Sequence, residues 1–191
     1  MKKPYSIVLA SQSPRRQELL RMANIDFSVE LNNDISEDFP DSMPASEVPL
    51  YLARRKQAAY YAFWSQPGVI VITADTIVSL NNIVLNKPES RNAAILMLSQ
   101  LAGQKHTVIT GVVLKSKEKE VAFDASTHVF FKPLSLELIE YYVDNYKPFD
   151  KAGAYGIQEW IGLIGIDRIE GSYFNVMGLP VDKVYEALHR F

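Results

Sequence analysis

The sequence contains no cysteine, and this absence excludes several classes of site. A chain without thiols has no disulfide framework, no thiolate metal site and no cysteine nucleophile. Long apolar runs are missing too. The first one, Ile7 to Ala10, is far shorter than a signal-peptide core or the roughly 20 apolar residues that span a bilayer. We therefore expect a cytoplasmic protein.

A strong excess of charge of one sign is also absent. The 191 residues include 20 basic and 22 acidic side chains, which gives a formal net charge of -2. Such a balanced surface argues against a polynucleotide partner. The length and the hydrophobic fraction of 48% predict one domain, residues 1–191, with a sizeable core. A small anionic ligand would therefore need lysines, arginines or bound cations gathered at one place.

Strand and helix patterns alternate along the chain, which predicts an α/β fold. Acidic and polar residues with two prolines predict a loop over 30–46, with an extended piece near Asp34 to Glu37. Asp75 is predicted to lie between two strands. The predicted strands are 7–10, 69–73, 77–80, 83–85, 106–115, 121–131 and 164–169, and the predicted helices are 14–23, 46–64, 90–101, 135–147 and 180–191.

The segment from Leu9 to Arg16 combines a strand end, hydroxyl groups, a helix start and two arginines. Helix N-termini attract anions, because their unpaired N–H groups and the helix dipole point at them. A capped helix with solvated arginines is the plain alternative, and Ser13 followed by Pro14 fits it. Adjacent arginines in the first turn oppose the helix dipole, however, which favours a site for an anion such as phosphate.

Asp75 stands in the apolar segment 72–78, where a carboxylate must find a cation, hydrogen-bond donors or a proton. Two interpretations remain open: a turn aspartate that bonds its own backbone, and a ligand of a hard cation such as Mg²⁺. Lys56 and Lys87 would each be taken as solvated if considered alone. Phosphoryl-transfer sites, however, gather several such cations to neutralise charge.

Two glycine-containing segments, Phe149 to Gln158 and Gly171 to Pro180, are too polar for strands and too rich in glycine for long helices. Close approach of the backbone to a ligand would explain this composition. An ordinary irregular loop would explain it equally well.

Taken in order, LASQSPRR (9–16), TADTIV (73–78), NKP (86–88), FDKAGAYGIQ (149–158) and GSYFNVMGLP (171–180) resemble the Maf family, named for septum formation. The resemblance covers essentially the whole chain. It implies an α/β fold similar to that of the inosine triphosphate pyrophosphatases, with an elongated mixed sheet flanked by helices and two lobes around a central cleft. Family members are often dimers, so a homodimer is an expectation.

The resemblance also implies an activity. Maf proteins hydrolyse the α-β phosphoanhydride of a nucleoside triphosphate with Mg²⁺ or Mn²⁺, and release a monophosphate and pyrophosphate. The side chains at Arg15, Thr76 and Gln158 match the branch that acts on dTTP, UTP and modified uridine triphosphates. Glu159 departs from the pattern, since a glycine commonly follows the GIQ triplet.

By the same resemblance, this sequence has candidate site residues of three kinds. The catalytic candidates are Asp75, Lys56 and Lys87; the substrate-binding candidates are Ser11, Arg15, Arg16, Thr76, Asp150 and Gln158; the metal-binding candidates are Asp75 and Glu37.

Other functions stay open at this point. A pyrophosphatase for ITP or 7-methyl-GTP would share the reaction, and a nucleotide-sensing regulator of septation would bind the triphosphate without cleaving it. A protein-interaction module is a further alternative, although the sequence shows no exposed apolar stripe that would argue for it. His106, His128 and His189 lack the spacing of metal ligands and are expected to be surface or strand residues.

Overall fold

A mixed seven-stranded sheet forms the framework of the protein in the computed structural model, which describes residues 5–32 and 35–191. The strands are β1 (Ser6–Leu9), β2 (Ser28–Val29), β3 (Val69–Leu80), β4 (Ile83–Leu85), β5 (Lys105–Lys115), β6 (Glu120–Phe131) and β7 (Ile166–Glu170). Their order is β2-β1-β3-β5-β6-β7, and β4 pairs with β3. β1 runs parallel to β2 and β3, whereas the β3–β4 and β6–β7 pairs are antiparallel. The predicted α/β class with a mixed sheet is confirmed.

Helices flank this sheet. They are α1 (Pro14–Met22), α2 (Val48–Ala58), α3 (Tyr61–Trp64), α4 (Arg91–Leu101), α5 (Leu136–Tyr146), α6 (Trp160–Gly165), α7 (Tyr173–Met177) and α8 (Val181–Leu188), with a 3₁₀ turn at Ala152–Ala154. Over the described ranges, none of these helices combines the length and the apolar character that crossing a membrane requires.

The chain divides into two compact units. Unit 1 comprises residues 1–75, 110–125 and 178–191, and unit 2 comprises residues 76–109 and 126–177. Strands β3, β5 and β6 each contribute residues to both units.

In unit 1, the predicted start of α1 is confirmed. The Ser13 hydroxyl accepts a hydrogen bond from the Arg16 backbone N–H at 3.4 Å, and Pro14 occupies the first turn. The helix buries Leu19 and Leu20. On β5, a side chain at Gly111 would collide with the backbone of Pro49 and Leu50, so this glycine lets the start of α2 approach the strand closely.

The prediction that Asp75 lies between two strands is wrong, because β3 continues from Val69 to Leu80. Polar groups inside the strand are tolerated because α2 supplies partners for them. The Thr73 hydroxyl lies 2.8 Å from the Ala53 carbonyl oxygen and 2.8 Å from Gln57 Oε1, and Asp75 accepts a hydrogen bond from Lys56. Because these polar side chains have hydrogen-bond partners, β3 can continue as a strand through Thr73 and Asp75.

Other element boundaries also differ from the prediction. The single helix predicted over 46–64 is two helices, because α2 ends at Ala58 and the backbone of Tyr60 is no longer helical (φ -103°, ψ 25°). β7 begins at Ile166, since residues 160–165 form α6. The short elements β2 and α7 were not predicted. Of the extended piece expected near Asp34 to Glu37, Asp34 lies outside the described residues, and 35–37 do not form a strand.

Unit 2 has an aromatic cluster built around His106 on β5. This histidine is 1% exposed, its Nε2 lies 2.7 Å from the Tyr155 hydroxyl, and its ring packs edge-on against Phe131. It is thus a strand residue, as expected, but a buried one. Burial lowers the pKa of His106 to about 4, because the apolar surroundings disfavour the imidazolium.

We predict that His106 makes the stability of the protein depend on pH. The folded state holds this imidazole neutral, whereas the unfolded chain protonates it near its ordinary pKa of 6.5. The unfolded state therefore binds more protons in this window, and the free energy of unfolding should fall from pH 6.5 to about 4, by roughly 3 kcal/mol.

Denaturant unfolding across this pH range measures the effect. His106→Leu should flatten the slope, because it removes the buried imidazole. An unaltered slope in His106→Leu would show that His106 is not the group responsible.

Candidate active site

A buried ion pair forms the centre of the site in unit 1. Lys56 Nζ on α2 donates to Asp75 Oδ1 on β3 at 2.6 Å and to Glu37 Oε1 at 2.7 Å. The side chains of Lys56 and Asp75 are 16% and 11% exposed, whereas that of Glu37 is 52% exposed. One ammonium therefore joins a buried carboxylate to one that is open to solvent.

Burial and neighbouring positive charges have opposing effects on the pKa of Asp75. Burial raises the pKa of Asp75 above its ordinary value, and the neighbouring Glu37 carboxylate acts in the same direction. Lys56 and Arg16 oppose this effect, since their positive charges favour the carboxylate, but the net direction remains upward. A carboxylate whose pKa is raised is a better proton acceptor than an ordinary aspartate.

Arg16 lies beside this ion pair and is held by contacts within unit 1. Its Nη1 donates to the Ala74 carbonyl oxygen at 2.9 Å and to the Ser11 hydroxyl at 3.3 Å, and its Nε donates to the Gly178 carbonyl oxygen at 2.8 Å. Burial lowers the pKa of Arg16, which nevertheless remains a cation. The guanidinium is thus fixed against the end of β1 and the middle of β3.

This arrangement changes the interpretation of the arginine pair. From the sequence, two arginines in a first helical turn argued for a bound anion. Part of the donor capacity of Arg16 is in fact used on carbonyl oxygens within the fold, which offsets its unfavourable position at the helix start. Arg15, also in unit 1, is half-buried on α1.

The remaining candidates belong to unit 2. Thr76 continues β3 directly after Asp75 and is half-buried, and Lys87 is exposed just beyond β4. Gln158 is exposed and lines a hollow of about 250 Å³, together with Ile157, Gly162, Leu163, Ile166, Arg168, Ile169 and Tyr173. Asp150 is exposed and accepts a hydrogen bond from Lys151 Nζ at 2.7 Å.

Several groups that contact the candidate residues were not predicted from the sequence. The carbonyl oxygens of Ala74 and Gly178 carry no sequence signal. Lys151 was also missed, although it directly follows Asp150 in the motif. This lysine is 8% exposed and lies 3.0 Å from Glu159 Oε1. A lysine beside an aspartate in a segment rich in small residues was the available clue.

The donor set in unit 1 fits a divalent cation. Asp75 and Glu37 direct oxygen atoms at one point, which Lys56 Nζ occupies, and carboxylate oxygens are the ligands that Mg²⁺ and Mn²⁺ prefer. Mg²⁺ usually takes one or two carboxylates and completes its shell with water and phosphate oxygens. Among the described residues, no group of three or more His, Cys, Asp or Glu side chains could hold a metal by itself.

Comparisons with known proteins agree with the resemblance seen in the motifs. Residues 6–191 match the family model described as "Maf-like protein". A protein of Parabacteroides distasonis is 51% identical over 189 residues, which are 99% of this chain and 97% of that protein. One from Bacteroides thetaiotaomicron is 49% identical over 186 residues, 97% of this chain and 96% of that protein. Both are named dTTP/UTP pyrophosphatase.

A solved structure of a HAM1 protein from Coxiella burnetii aligns with 98% of this chain and 100% of that chain, at 13% identity and a TM-score of 0.49. This likeness is too weak to carry a conclusion. The family match spans both units, and it agrees with relatives that are about half identical over nearly their whole length. The chain therefore belongs to the Maf-like protein family.

Proposed function

We propose that this protein is a nucleoside triphosphate pyrophosphatase that acts on dTTP, UTP and modified uridine triphosphates. Relatives about half identical over nearly the full length carry the name dTTP/UTP pyrophosphatase. The structural observation that carries the proposal is the buried Asp75 carboxylate, which Lys56 joins to Glu37. This centre offers a proton acceptor and positive charge side by side, as anhydride hydrolysis requires.

In the proposed reaction Asp75 accepts a proton from the attacking water. The water oxygen forms a bond to the α-phosphorus, and the bond from the α-phosphorus to the bridging oxygen breaks. The products are a nucleoside monophosphate and pyrophosphate. The geometry supports this role, because Asp75 is largely buried and Lys56 Nζ holds its Oδ1 at 2.6 Å, which fixes the carboxylate in one place.

Positive side chains neutralise the triphosphate in this proposal. Lys56 already lies at the Asp75 carboxylate, and Arg16 is held rigidly beside it. A fixed guanidinium needs little reorganisation when charge develops on the phosphates, which favours the transition state. We assign the same neutralising role to Arg15 and Lys87, and Ser11 contributes a hydroxyl to the phosphate site.

We propose that Asp75 and Glu37 also hold a divalent cation, Mg²⁺ or Mn²⁺. Bound there, the cation supplies charge neutralisation for the phosphate oxygens. Lys56 Nζ lies at the point to which both carboxylates direct an oxygen, so in this proposal it gives up part of this contact when the metal binds. The buried Asp75 is the fixed ligand of the two, and the exposed Glu37 is the adaptable one.

Recognition of the base is assigned to Thr76 and Gln158, with Arg15 as the third specificity position and Asp150 as a further substrate contact. Hydrogen bonds to a base edge discriminate well, because a wrong base leaves buried polar groups unpaired. The exposure of Gln158 beside a hollow lined mainly by apolar side chains supports this assignment.

The proposal also covers the extent of the functional domain, the cellular compartment and the oligomeric state. The whole chain, residues 1–191, acts as one functional domain, since the family match covers 6–191. Action in the cytoplasm fits a nucleotide substrate and a chain without cysteine. A homodimer follows from the family resemblance, and sedimentation equilibrium would test it.

Pyrophosphate release tests the proposed function. With Mg²⁺, the protein should release pyrophosphate from dTTP and UTP in preference to ITP, 7-methyl-GTP and the other common triphosphates. Asp75→Asn should abolish turnover while dTTP still binds, because the change removes the charge but little volume. Tight binding without pyrophosphate would instead identify a nucleotide sensor, and near-normal turnover in Asp75→Asn would remove Asp75 from the reaction.

A second prediction concerns the coupling of Lys56 to Asp75. Lys56→Met should raise the pKa of Asp75 further, because it removes the strongest influence that opposes burial. The variant should lose about 3–5 kcal/mol of stability at neutral pH. This loss should shrink as the pH falls through the raised pKa, since a protonated Asp75 no longer needs the ammonium.

Carboxyl ¹³C NMR titration of Asp75 measures the coupling. Lys115→Met is the matched control, since Lys115 pairs with the half-exposed Glu120 at 2.8 Å and should leave the Asp75 titration unchanged. Titration of wild-type Asp75 at or below the ordinary value of 3.8 would contradict the assigned environment.

A third prediction concerns the metal. Removal of divalent cations with a chelator should abolish pyrophosphate release without unfolding the protein, because Lys56 holds the two carboxylates when the metal is absent. Glu37→Gln should raise the Mg²⁺ concentration needed for half-maximal activity, whereas Glu118→Gln on the β5–β6 turn should not. Full activity in chelator would rule out the metal role.

A further inference from the structure

The turn that carries Gln158 is closed on itself by hydrogen bonds in unit 2. The Glu159 backbone N–H donates to the Gly156 carbonyl oxygen at 3.0 Å, so residues 156–159 form a tight turn. The Gly162 N–H donates in turn to the Glu159 carbonyl oxygen at 2.9 Å, at the start of α6. Gln158 therefore lies inside a short segment whose two ends are joined.

Side chains pin the same turn to α5. The Gly156 N–H donates to the Tyr142 hydroxyl oxygen at 3.1 Å, and the Tyr142 hydroxyl donates to Glu159 Oε2. The hydrogen bonds thus run from Gly156 through Tyr142 to Glu159, and the backbone bond from Glu159 to Gly156 completes a ring. Tyr142 is fully buried, so the ring is anchored in the core of unit 2.

The Glu159 carboxylate lies between Lys151 and the space left open by Gly156. Its other oxygen, Oε1, lies 3.0 Å from Lys151 Nζ, which also contacts Asp150 at 2.7 Å. A Cβ at position 156 would lie 2.8 Å from Glu159 Cδ, so the carboxyl group would have to leave its present position if residue 156 carried a side chain. The side chain of Glu159 is 20% exposed, which makes it a largely buried charge that shares the Lys151 ammonium with Asp150.

We propose that Glu159 is a positioning residue for Gln158, and that it supports recognition of the base by holding the 156–159 turn against Tyr142 and Lys151. The inference rests on the proposed function, in which Gln158 reads the base. Gln158 itself is exposed, so contacts of its own turn are what limit its freedom before substrate binds. Because the backbone that carries Gln158 is already ordered, less conformational entropy is lost when the base binds, which strengthens its recognition.

Steady-state kinetics with dTTP and UTP test the inference. Glu159→Ala and Tyr142→Phe should each raise KM roughly three- to tenfold, the effect of losing one or two hydrogen bonds, while kcat stays within about twofold. Glu159→Gln keeps an oxygen that can accept from Tyr142 and should retain much of the wild-type KM. If Glu159→Ala does not fold, the KM of Tyr142→Phe is compared with that of Glu159→Gln instead.

A double-mutant cycle separates positioning from plain stabilisation. In a Gln158→Ala background, Glu159→Ala should cause no further rise in KM, because the residue through which it acts is gone. Arg91→Gln is the control: it breaks an ion pair with Asp144 at 2.6 Å between α4 and α5 in the same unit, and should lower Tm without changing KM.

The outcomes are distinguishable. Unchanged KM in Glu159→Ala, unchanged KM in Gln158→Ala, or an equal additional rise in the double variant would each overturn the positioning role. If the wild-type protein releases no pyrophosphate, the proposed function fails. The same cycle is then measured as dTTP dissociation constants by calorimetry, where additive effects or absent binding overturn the positioning role.

Discussion

A carboxylate inside a buried strand is the constraint around which unit 1 is organised. Asp75 is 8% exposed, and an isolated ionised carboxylate in such a place would be strongly unfavourable. Lys56 supplies the compensating charge from α2, and Glu37 shares that ammonium. The packing of α2 against β3 therefore supplies the counter-charge of the buried carboxylate that we propose as proton acceptor and metal ligand.

Arg16 is a second cation near Asp75, and hydrogen bonds within unit 1 hold it firmly. Its guanidinium donates to the carbonyl oxygens of Ala74 and Gly178 and to the Ser11 hydroxyl, which brings together three stretches of chain distant in sequence. A second cation near Asp75 favours its ionised form. Because this cation is fixed by the fold, substrate phosphates would meet positive charge that is already in place. Rigid electrostatics of this kind is more effective than flexible side chains that must reorganise.

Much of the fold could be predicted from local patterns, because local chemistry determines it. Ser13 caps α1 as predicted, and Ser90 and Ser135 cap α4 and α5, whose predicted helices begin at these residues. The asparagine pair at 81–82 turns the β3–β4 hairpin with positive φ at both residues. The continuity of β3 through Asp75 could not be predicted in this way. It depends on the Lys56 ammonium of α2, and local sequence does not tell that α2 packs against this strand. The resemblance in the motifs named most of the candidate site residues. It did not name Lys151, which pairs with Glu159, or the carbonyl groups of Ala74 and Gly178, which accept hydrogen bonds from Arg16.

We propose that water attacks the α-phosphorus, so that the bond between the α- and β-phosphates breaks. Hydrolysis of dTTP in ¹⁸O-labelled water, followed by ³¹P NMR of the products, shows which phosphorus is attacked. The label should appear in the monophosphate, and pyrophosphate should remain unlabelled. Label in pyrophosphate, or release of labelled inorganic phosphate in its place, would show attack at another phosphorus and rule out the proposed reaction.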